Sequence, residues 1–258
     1  MIDVHCHYLP AVDDGASDLQ TALKLIKRAY ADGVRKLVLT PHIYAGRWDN
    51  SLSFLLPRFE AFRNLVASKG IEVELFLGAE VHLLPESLRL LSEGEIPFIG
   101  GWDGMKVMLL ELPDGRIPPN AISAVRYLIR EGVLPMLAHP ERNKMVMDKI
   151  QSLEPFVEEG CLLQLTAASV IGEFGDRARD CAQAILQRDW ATVVASDAHN
   201  LRHRTSRMKA AYRHLYRHYG EEVADRLTKT APGRLLEGRV SMGEHAGASV
   251  KALAYSRW

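Results

Sequence analysis

Residues 2–7, with the sequence IDVHCH, join a short apolar-rich run to two histidines and set a pattern that recurs along the chain. His5 and His7 are two positions apart, so on a β-strand both side chains point to one face while Cys6 points to the other. Two imidazoles on one face can hold a metal ion, although a His-x-His pair alone is more often chance. The pair therefore predicts a metal site only if further ligand-type residues join it.

Ligand-type residues do follow other short apolar runs. They are Asp13-Asp14-Gly15, Thr40-Pro41-His42, Gly78-Ala79-Glu80, Glu111-Leu112-Pro113, Ala138-His139-Pro140-Glu141-Arg142 and Ser196-Asp197-Ala198-His199. Glu111 lies within an apolar run, where a carboxylate must be paired, protonated or bound to a metal. Asp13-Asp14-Gly15 also suits an ordinary turn, and Asp13 is the weaker candidate of its pair. His82 is expected to be a loop residue, and Cys6 a small buried residue behind the site.

Strands and helices are predicted to alternate along the chain. The predicted strands are Ile2 to Cys6, Val34 to Thr40, Ile71 to Gly78, Val107 to Leu112, Val133 to Ala138, Cys161 to Thr166 and Ala191 to Ser196. The predicted helices include one opened by a Ser17/Gln20 capping box and ended by Gly33, one over 52–68, one over 85–93, and one from Pro118 to Gly132. Near-continuous apolar strands between helices indicate a parallel sheet buried on both faces.

The positions of the candidate ligands favour a closed barrel over an open sheet. In a parallel barrel the carboxyl ends of the strands converge on one mouth, whereas an open sheet spreads them along a line. The predicted fold is therefore an α/β, seven-stranded TIM-like barrel. We expect the barrel to be a single domain over residues 1–240, with a peripheral tail over 241–258.

Composition limits the classes of function. The chain has 258 residues, is 47% hydrophobic, and has equal numbers of basic and acidic residues, 32 of each. This size allows one large domain or two small ones. A net charge of zero argues against general nucleic-acid binding. No signal peptide or membrane-inserted segment is expected, and the three cysteines lack C-x-x-C spacing, so a cytoplasmic location is predicted.

The metal ligands predicted are His5, His7, Asp14, His42, Glu80, Glu111, His139, Asp197 and His199. A mixture of imidazoles and carboxylates without a thiolate suits Mn²⁺, Fe²⁺ or Zn²⁺ better than Ca²⁺ or Mg²⁺. The number of ligands exceeds what one or two ions need, so three ions are expected. Such clusters generate hydroxide from bound water and hold phosphoryl oxygens, which points to hydrolysis of phosphate esters.

Arginines near these ligands are the candidates for binding phosphate. Arg142 follows His139 by three residues and is predicted to bind phosphate in a bidentate manner and to take part in catalysis, although a structural ion pair with Glu141 is the alternative. Arg204, Arg207 and Arg47 are further candidates for substrate binding. The basic run over 202–218 fits a solvated helix face better than a docking surface for an acidic partner.

Taken in order, the motifs HCH, DDG, TPH, GAE, ELP, AHPER and SDAHN resemble those of the polymerase-and-histidinol-phosphatase superfamily. Within it, they are similar to the manganese-dependent bacterial tyrosine phosphatases of capsule and exopolysaccharide loci. The resemblance covers residues 1–240 and implies a distorted seven-stranded barrel that holds three ions. Their ligands would be His5, His7, Glu80 and Asp197 for one ion, Glu80, Glu111 and His139 for a second, and Asp14, His42 and His199 for a third. Ile43, Tyr44 and Arg47 depart from the family pattern.

The resemblance implies a Mn²⁺-dependent protein-tyrosine phosphatase, a phosphoric monoester hydrolase that works by attack of a metal-bound hydroxide. The implied substrate and partner is the phosphorylated tail of a membrane-associated bacterial tyrosine kinase, and homo-oligomerisation is left open. The alternatives are a small-molecule phosphatase of the histidinol-phosphate type, a phosphodiesterase, or an inert binding module. A cysteine-based phosphatase is excluded because it requires Cys-x₅-Arg, and Val12, Ala167 and Gln187 stand six residues after the three cysteines.

Overall fold

Strands and helices alternate throughout residues 1–238, which the computed structural model describes. The strands are β1 (Ile2–Cys6), β2 (Lys36–Leu39), β3 (His42–Ile43), β4 (Glu74–Leu77), β5 (Glu80–His82), β6 (Gly100–Trp102), β7 (Met105–Glu111), β8 (Val133–Ala138), β9 (Leu162–Thr166) and β10 (Val193–Ala195). The α-helices are α1 (Leu19–Ala31), α2 (Leu52–Ser68), α3 (Pro85–Ser92), α4 (Ala121–Arg130), α5 (Lys144–Asp148), α6 (Glu154–Glu158), α7 (Ala167–Val170), α8 (Asp176–Gln187), α9 (Met208–Tyr219), α10 (Glu221–Asp225) and α11 (Ala231–Glu237). Pro140–Arg142 and Ile150–Leu153 are 3₁₀ turns, and Arg226–Thr230 is a π-helical segment.

The strands close into a ring of parallel strands. β1, β2 and β4 form one parallel sheet, and β10, β9, β8, β7, β5 and β3 follow one another in a second. β2 runs on into β3 and β4 into β5, so the second and third positions of the ring take part in both sheets. The ring closes where Cys6 bridges to Ala198 and the Asp197 N–H donates to the His5 carbonyl oxygen at 2.8 Å. This arrangement confirms the predicted distorted seven-stranded α/β barrel.

Apolar side chains fill both sides of the barrel wall. β8 and β9 are buried along their whole length, as expected for parallel strands covered on both faces. One cluster brings together Val4, Val38, Leu109, Met136 and Val193 from different strands and packs against Leu235 of α11. A larger cluster lies between the strands and the surrounding helices. The packed interior fixes the positions from which the strand ends project.

The predicted strand boundaries are correct for β1 and β8 and too long for the second and third strands. The second strand is interrupted at Thr40-Pro41, because proline has no N–H to donate to a neighbouring strand. The third is interrupted at Gly78, where a Cβ atom would lie 2.7 Å from the Ile99 Cγ2 atom. The antiparallel pairing of β6 with β7 was not predicted. The signal was present in Asp103-Gly104, whose φ values of 49° and 81° suit a two-residue hairpin turn.

Helix α1 begins one residue later than the capping-box prediction required. The N-cap is Asp18, whose side chain accepts a hydrogen bond from the Thr21 N–H, so the assignment of Ser17 as the cap was wrong. The Ser17 hydroxyl instead donates to the Asp18 carboxylate. Gly33 follows the helix with a φ of 92°, as expected for a residue that ends a helix.

Two further expectations concern the C-terminal tail and the absence of a membrane-inserted segment. The predicted tail over 241–258 lies outside the described residues. Within residues 1–238, no helix combines the length and the apolar character that a membrane span requires.

Candidate metal centre

The ends of the barrel strands bring the predicted ligands together at one mouth. His5 and His7 come from β1 and the residues after it, His42 from β3, Glu80 from β5, and Glu111 from the last position of β7. His139 follows β8, and Asp197 and His199 follow β10. His5, His7, Glu80 and Asp197 are almost fully buried, whereas Asp14 is partly exposed at the edge of the cluster.

Glu80 lies at the middle of the cluster. Its Oε2 atom is 3.1 Å from His5 Nε2, 3.2 Å from His7 Nε2 and 3.2 Å from His42 Nδ1. Its Oε1 atom is 2.7 Å from His139 Nε2. A single carboxylate thus faces four imidazoles from three different strand ends, and it is the natural candidate for a ligand shared between ions.

Three overlapping groups have ligand atoms close enough to surround an ion. They are His5, His7, Glu80 and Asp197; His42, Glu80 and Glu111; and His7, Asp14, His42 and His199. The first has the membership expected from the family resemblance. In the second, His42 stands where His139 was expected, although His139 Nε2 lies 3.9 Å from Glu111 Oε1. The third adds His7 to the expected residues.

The chemistry of these atoms fits metal cations. The buried atoms Glu80 Oε2, Asp197 Oδ1, His42 Nδ1 and His199 Nε2 have no hydrogen-bond partner, which is costly for buried polar groups unless a cation satisfies them. His5 Nε2 and His7 Nε2 lie 3.1 Å apart. Two nitrogen ligands about 2.1 Å from a transition metal and at a right angle to each other have a separation of about 3 Å.

Outer partners orient several of the imidazoles. His5 Nδ1 lies 2.8 Å from the amide oxygen of Gln164, and His7 Nδ1 lies 2.8 Å from Asp13 Oδ2. His199 Nδ1 lies 3.0 Å from the Asp197 carbonyl oxygen. A hydrogen bond at one ring nitrogen fixes the tautomer and directs the lone pair of the other towards an ion. Asp13, the weaker candidate in the sequence, thus acts on His7 from outside the cluster.

Gln164 and His82 are the residues whose part in this site the sequence analysis missed. Gln164 is a fully buried amide within the apolar strand β9, the same signal that singled out Glu111. His82 was expected in a loop but ends strand β5, and its Nδ1 atom lies 3.1 Å from Glu111 Oε2. It therefore supports Glu111 from the outer side.

Two predicted ligands have a left-handed backbone that is unusual for residues with a side chain. His139 has a φ of 34° and Asp197 a φ of 49°. Such conformations cost of order 1–3 kcal/mol and occur mainly where function requires a particular side-chain direction. Both residues come directly after a barrel strand, where the bend turns their side chains towards Glu80 and His5.

Burial and charge act in opposite directions on the pKa values in the cluster. Burial raises the pKa of Glu80, but His5, His42 and His139 outweigh burial and hold this pKa well below its ordinary value. Burial lowers the pKa of His7, but Asp13, together with Asp197 and Glu80, holds it well above the ordinary value. The cluster therefore places an ionised carboxylate beside an imidazole that retains its proton strongly, and a metal ion must displace the proton of His7 to bind there.

Arg142 and Arg204 meet at a single carboxylate oxygen. Each guanidinium contacts Asp197 Oδ2, Arg204 at 2.5 Å, while Asp197 Oδ1 faces His5 Nε2 at 3.3 Å. Burial lowers the pKa of Arg142, but Asp197 and Glu141 raise it above its ordinary value, so the guanidinium stays charged. Glu141 instead accepts a hydrogen bond from the Thr166 N–H, so the ion pair considered for Arg142 and Glu141 does not form.

The other two predicted arginines make their contacts with residues other than the candidate ligands. Arg207 pairs with Glu173 at 2.7 Å, so the structure does not bring it to the cluster. Arg47 is exposed and packs over the ring of Trp48, with 4.1 Å from its guanidinium carbon to the ring centroid. A cavity of about 490 Å³ opens beside Arg142, bounded on its far side by Phe174 and residues 175–178.

The cysteines have no part in this geometry. Cys6, Cys161 and Cys181 are buried and unpaired. Burial raises the pKa of Cys6 well above its ordinary value and raises the pKa of Cys161 and Cys181 to about 12. A thiolate nucleophile is therefore not available at neutral pH, which agrees with the missing Cys-x₅-Arg motif.

Known proteins resemble this chain both in sequence and in fold. The chain is 30% identical to the putative tyrosine-protein phosphatase CapC of Staphylococcus aureus over 86% of each protein. It is 29% identical to the tyrosine-protein phosphatase YwqE of Bacillus subtilis over 90% of each. A solved structure also superposes on this chain, with a TM-score of 0.85. Its description names YwqE from Bacillus subtilis and CpsB from Streptococcus pneumoniae as unique metal-dependent tyrosine phosphatases. It has 28% identity and covers 93% of this chain and 96% of that one.

A family of known proteins matches nearly all of the residues that the structure describes. Residues 1–237 match the family of capsular polysaccharide synthesis proteins described as CpsB/CapC. The match begins at β1 and ends with α11, so it includes every strand that contributes a candidate ligand. The chain therefore belongs to the CpsB/CapC family.

Proposed function

We propose that this protein is a metal-dependent protein-tyrosine phosphatase, a phosphoric monoester hydrolase acting on phosphotyrosine. The observation that carries the proposal is the set of three overlapping ligand groups joined through Glu80 and His7. Relatives at 30% and 29% identity are named tyrosine-protein phosphatases, which supports this activity over the small-molecule and phosphodiesterase alternatives.

The residues that would hold the ions are the nine predicted from the sequence, with Mn²⁺ as the proposed metal and three ions per chain. They are His5, His7, Asp14, His42, Glu80, Glu111, His139, Asp197 and His199. When bound, such ions supply a nucleophile at neutral pH by acidifying water, and they stabilise charge on phosphoryl oxygens. Asp13 and Gln164 hold the rings of His7 and His5 in the orientation that presents Nε2 to an ion.

The two arginines on Asp197 provide the positive charge next to the cluster. In the reaction, water adds to phosphorus and the bond between phosphorus and the tyrosine oxygen breaks. Arg142 and Arg204 are held by a buried carboxylate, so their guanidinium groups are in place before the substrate arrives. Preorganised donors of this kind stabilise the transition state without the cost of reorientation.

The proposed substrate is a phosphotyrosine-bearing tail of a membrane-associated tyrosine kinase that controls capsule or exopolysaccharide synthesis. The family is described by capsular polysaccharide synthesis, which supports this setting. The open cavity beside Arg142, lined also by Met147 and residues 174–178, offers space for a peptide chain next to the arginine. We place the reaction in the cytoplasm, because three unpaired cysteines suit a reducing compartment.

The test compares substrates on the metal-loaded protein. Turnover of a phosphotyrosine peptide is measured against histidinol phosphate and bis-p-nitrophenyl phosphate, with and without a chelator. We expect metal-dependent hydrolysis of the phosphotyrosine peptide at a kcat/KM well above the other two. Preference for histidinol phosphate would support the small-molecule alternative, and preference for the diester would support a phosphodiesterase.

A further inference from the structure

The turn after β3 carries two aromatic rings that pack directly on the outer side of the candidate ligands. Trp48 stacks on His42, with 4.6 Å between ring centroids and 9° between ring planes. Tyr44 stacks on His82, with 4.1 Å between centroids and 3° between planes. His82 in turn contacts Glu111. The Trp48 ring therefore contacts a candidate ligand directly, whereas His82 separates the Tyr44 ring from Glu111. Both rings remain partly exposed.

The backbone holds these rings in a fixed position. The Tyr44 N–H donates to the Trp48 carbonyl oxygen at 3.0 Å, and the Trp48 N–H donates back to the Tyr44 carbonyl oxygen at 2.8 Å. The Asn50 side chain closes the base of the turn by donating to the His42 carbonyl oxygen at 2.8 Å. Arg47 covers part of the Trp48 ring. We call Tyr44 and Trp48, with Arg47 packed on Trp48, the aromatic rim.

The aromatic rim follows a strand that is three positions from β8 and two from β10 in the ring of seven, and these two strands precede the proposed phosphate-binding arginines. β3 and β5, which carry the rim and His82, occupy the second and third positions of the barrel, whereas Arg142 and Arg204 follow β8 and β10 at the fifth and seventh. A phosphate between the arginines and the ligands would thus have the rim on its other side. The ring of an aryl phosphate begins one oxygen away from phosphorus, within reach of groups that surround the ligands.

We propose that Tyr44 and Trp48 bind the phenyl ring of the substrate and so select aryl over alkyl phosphate esters. The inference rests on the proposed phosphatase activity and assigns part of its specificity to side chains that hold no metal. Offset or edge-to-face contact between rings strengthens binding by a factor of roughly three to ten per pair. The Arg47 guanidinium lies over the Trp48 ring, and its positive charge also favours the electron-rich face of a substrate ring.

The test measures binding of two ligands that cannot be hydrolysed. Phenylphosphonate and methylphosphonate share the phosphoryl group, and the ratio of their dissociation constants isolates the contribution of the ring. Calorimetric titration of the Mn²⁺-loaded protein gives this ratio for the wild type, Tyr44→Ala, Trp48→Ala and Trp48→Phe. Tyr216→Ala, an aromatic residue on α9 with 50% exposure, is the matched control.

We expect the wild type and Tyr216→Ala to prefer phenylphosphonate, and each alanine variant of the rim to lose roughly three- to tenfold of that preference. Trp48→Phe keeps most of it, because a ring remains. The metal content of each variant is also measured, because Trp48 contacts His42. If Trp48→Ala loses metal, the phosphonate ratio of Tyr44→Ala tests whether the rim binds the ring. Equal weakening of both phosphonates, or no preference in the wild type, overturns the inference.

Turnover of the phosphotyrosine peptide separates this inference from the proposed function. If the wild type hydrolyses the peptide in a metal-dependent way and the rim variants leave the phosphonate ratio unchanged, only the role of the rim is wrong. If the wild type fails to hydrolyse the peptide, the proposed function is wrong whatever the phosphonates show.

Discussion

At the scale of single residues, Asp197 connects the candidate metal cluster to the two arginines proposed to bind phosphate. One of its oxygens faces His5 and the other is shared by Arg142 and Arg204. Burial raises the pKa of Asp197, but Arg204, His5 and Arg142 outweigh burial and hold it well below its ordinary value. The carboxylate therefore stays ionised and can hold a cation on one side while it orients two guanidinium groups on the other.

Replacement of Arg142 tests the phosphate-binding assignment. Arg142→Ala should lower kcat for a phosphotyrosine peptide by roughly 10²–10³, in line with the loss of one preorganised charged donor. Metal content should not change, because arginine is not a ligand. Arg142→Lys should restore little activity, since an ammonium group cannot reproduce a bidentate contact.

The matched control for Arg142 is Arg207→Ala. Arg207 pairs with Glu173 away from the ligands, so its removal should leave turnover near that of the wild type. Near-wild-type turnover of Arg142→Ala would show that Arg142 does not bind the phosphate, and Arg204 would then be the remaining candidate on Asp197.

Replacement of Asp13 tests the outer support of His7. In Asp13→Asn the contact with His7 loses its charge, so the pKa of His7 falls towards its ordinary value and the ring becomes a weaker ligand. Metal affinity should fall by about 10–100-fold, and saturating Mn²⁺ should restore turnover. Asp18→Asn, at the exposed start of α1, is the control in a titration of metal against activity. An unchanged metal affinity in Asp13→Asn would show that Asp13 does not support His7 as a metal ligand.

The sequence identifies residues of the candidate site best where a polar side chain interrupts an apolar run. Glu80 and Glu111 stand out in this way, because a buried carboxylate requires a partner. Gln164 carries the same signal but is neutral, so its burial looked less costly. The stacking of Trp48 on His42 depends on the shape of the turn over 44–48, which no periodic pattern specifies.

At the scale of secondary-structure elements, interruptions in two strands place ligands in the mouth. β2 and β4 end early, and the chain resumes as β3 and β5 with His42 and Glu80 as first residues, paired in register. Continuous strands would have given a more regular barrel. The sequence predicted the apolar parts of these strands, but the interruptions depend on local packing around Pro41 and Gly78 that hydrophobic periodicity does not report.

The loop between β1 and α1 packs closely against His7 at Gly15, so a substitution there tests whether this contact holds His7 in place. A Cβ atom at Gly15 would lie 2.1 Å from the His7 carbonyl oxygen and 2.5 Å from the His7 Cβ atom. Gly15→Ala should therefore displace His7, lower the free energy of unfolding by about 1–3 kcal/mol, and weaken metal binding. Thermal unfolding and metal titration measure these effects.

Gly115→Ala is the matched control, because a Cβ atom there meets nothing within 4 Å. Its free energy of unfolding should stay within about 0.5 kcal/mol of the wild type. If Gly15→Ala were as stable and as rich in metal as Gly115→Ala, the loop could not be fixing the position of His7.

At the scale of the whole molecule, the packing of the barrel and its helices limits the reactivity of the cysteines. All three thiols are buried, and burial raises their pKa values. Treatment of the metal-loaded protein with iodoacetamide should therefore leave turnover of a phosphotyrosine peptide unchanged, whereas a chelator should abolish it and Mn²⁺ should restore it. Loss of activity on alkylation, with metal content intact, would point to a thiol in the reaction.

The number of ions bound per chain shows whether a multinuclear metal centre forms around Glu80. Elemental analysis of Mn²⁺-loaded protein after gel filtration should give three ions per wild-type chain, one for each ligand group. Glu80 belongs to two of these groups, so Glu80→Ala should retain about one ion and lose phosphotyrosine hydrolysis. Glu86→Ala, at the exposed start of α3, should match the wild type. A full complement of ions in Glu80→Ala, or none in the wild type, would contradict the account.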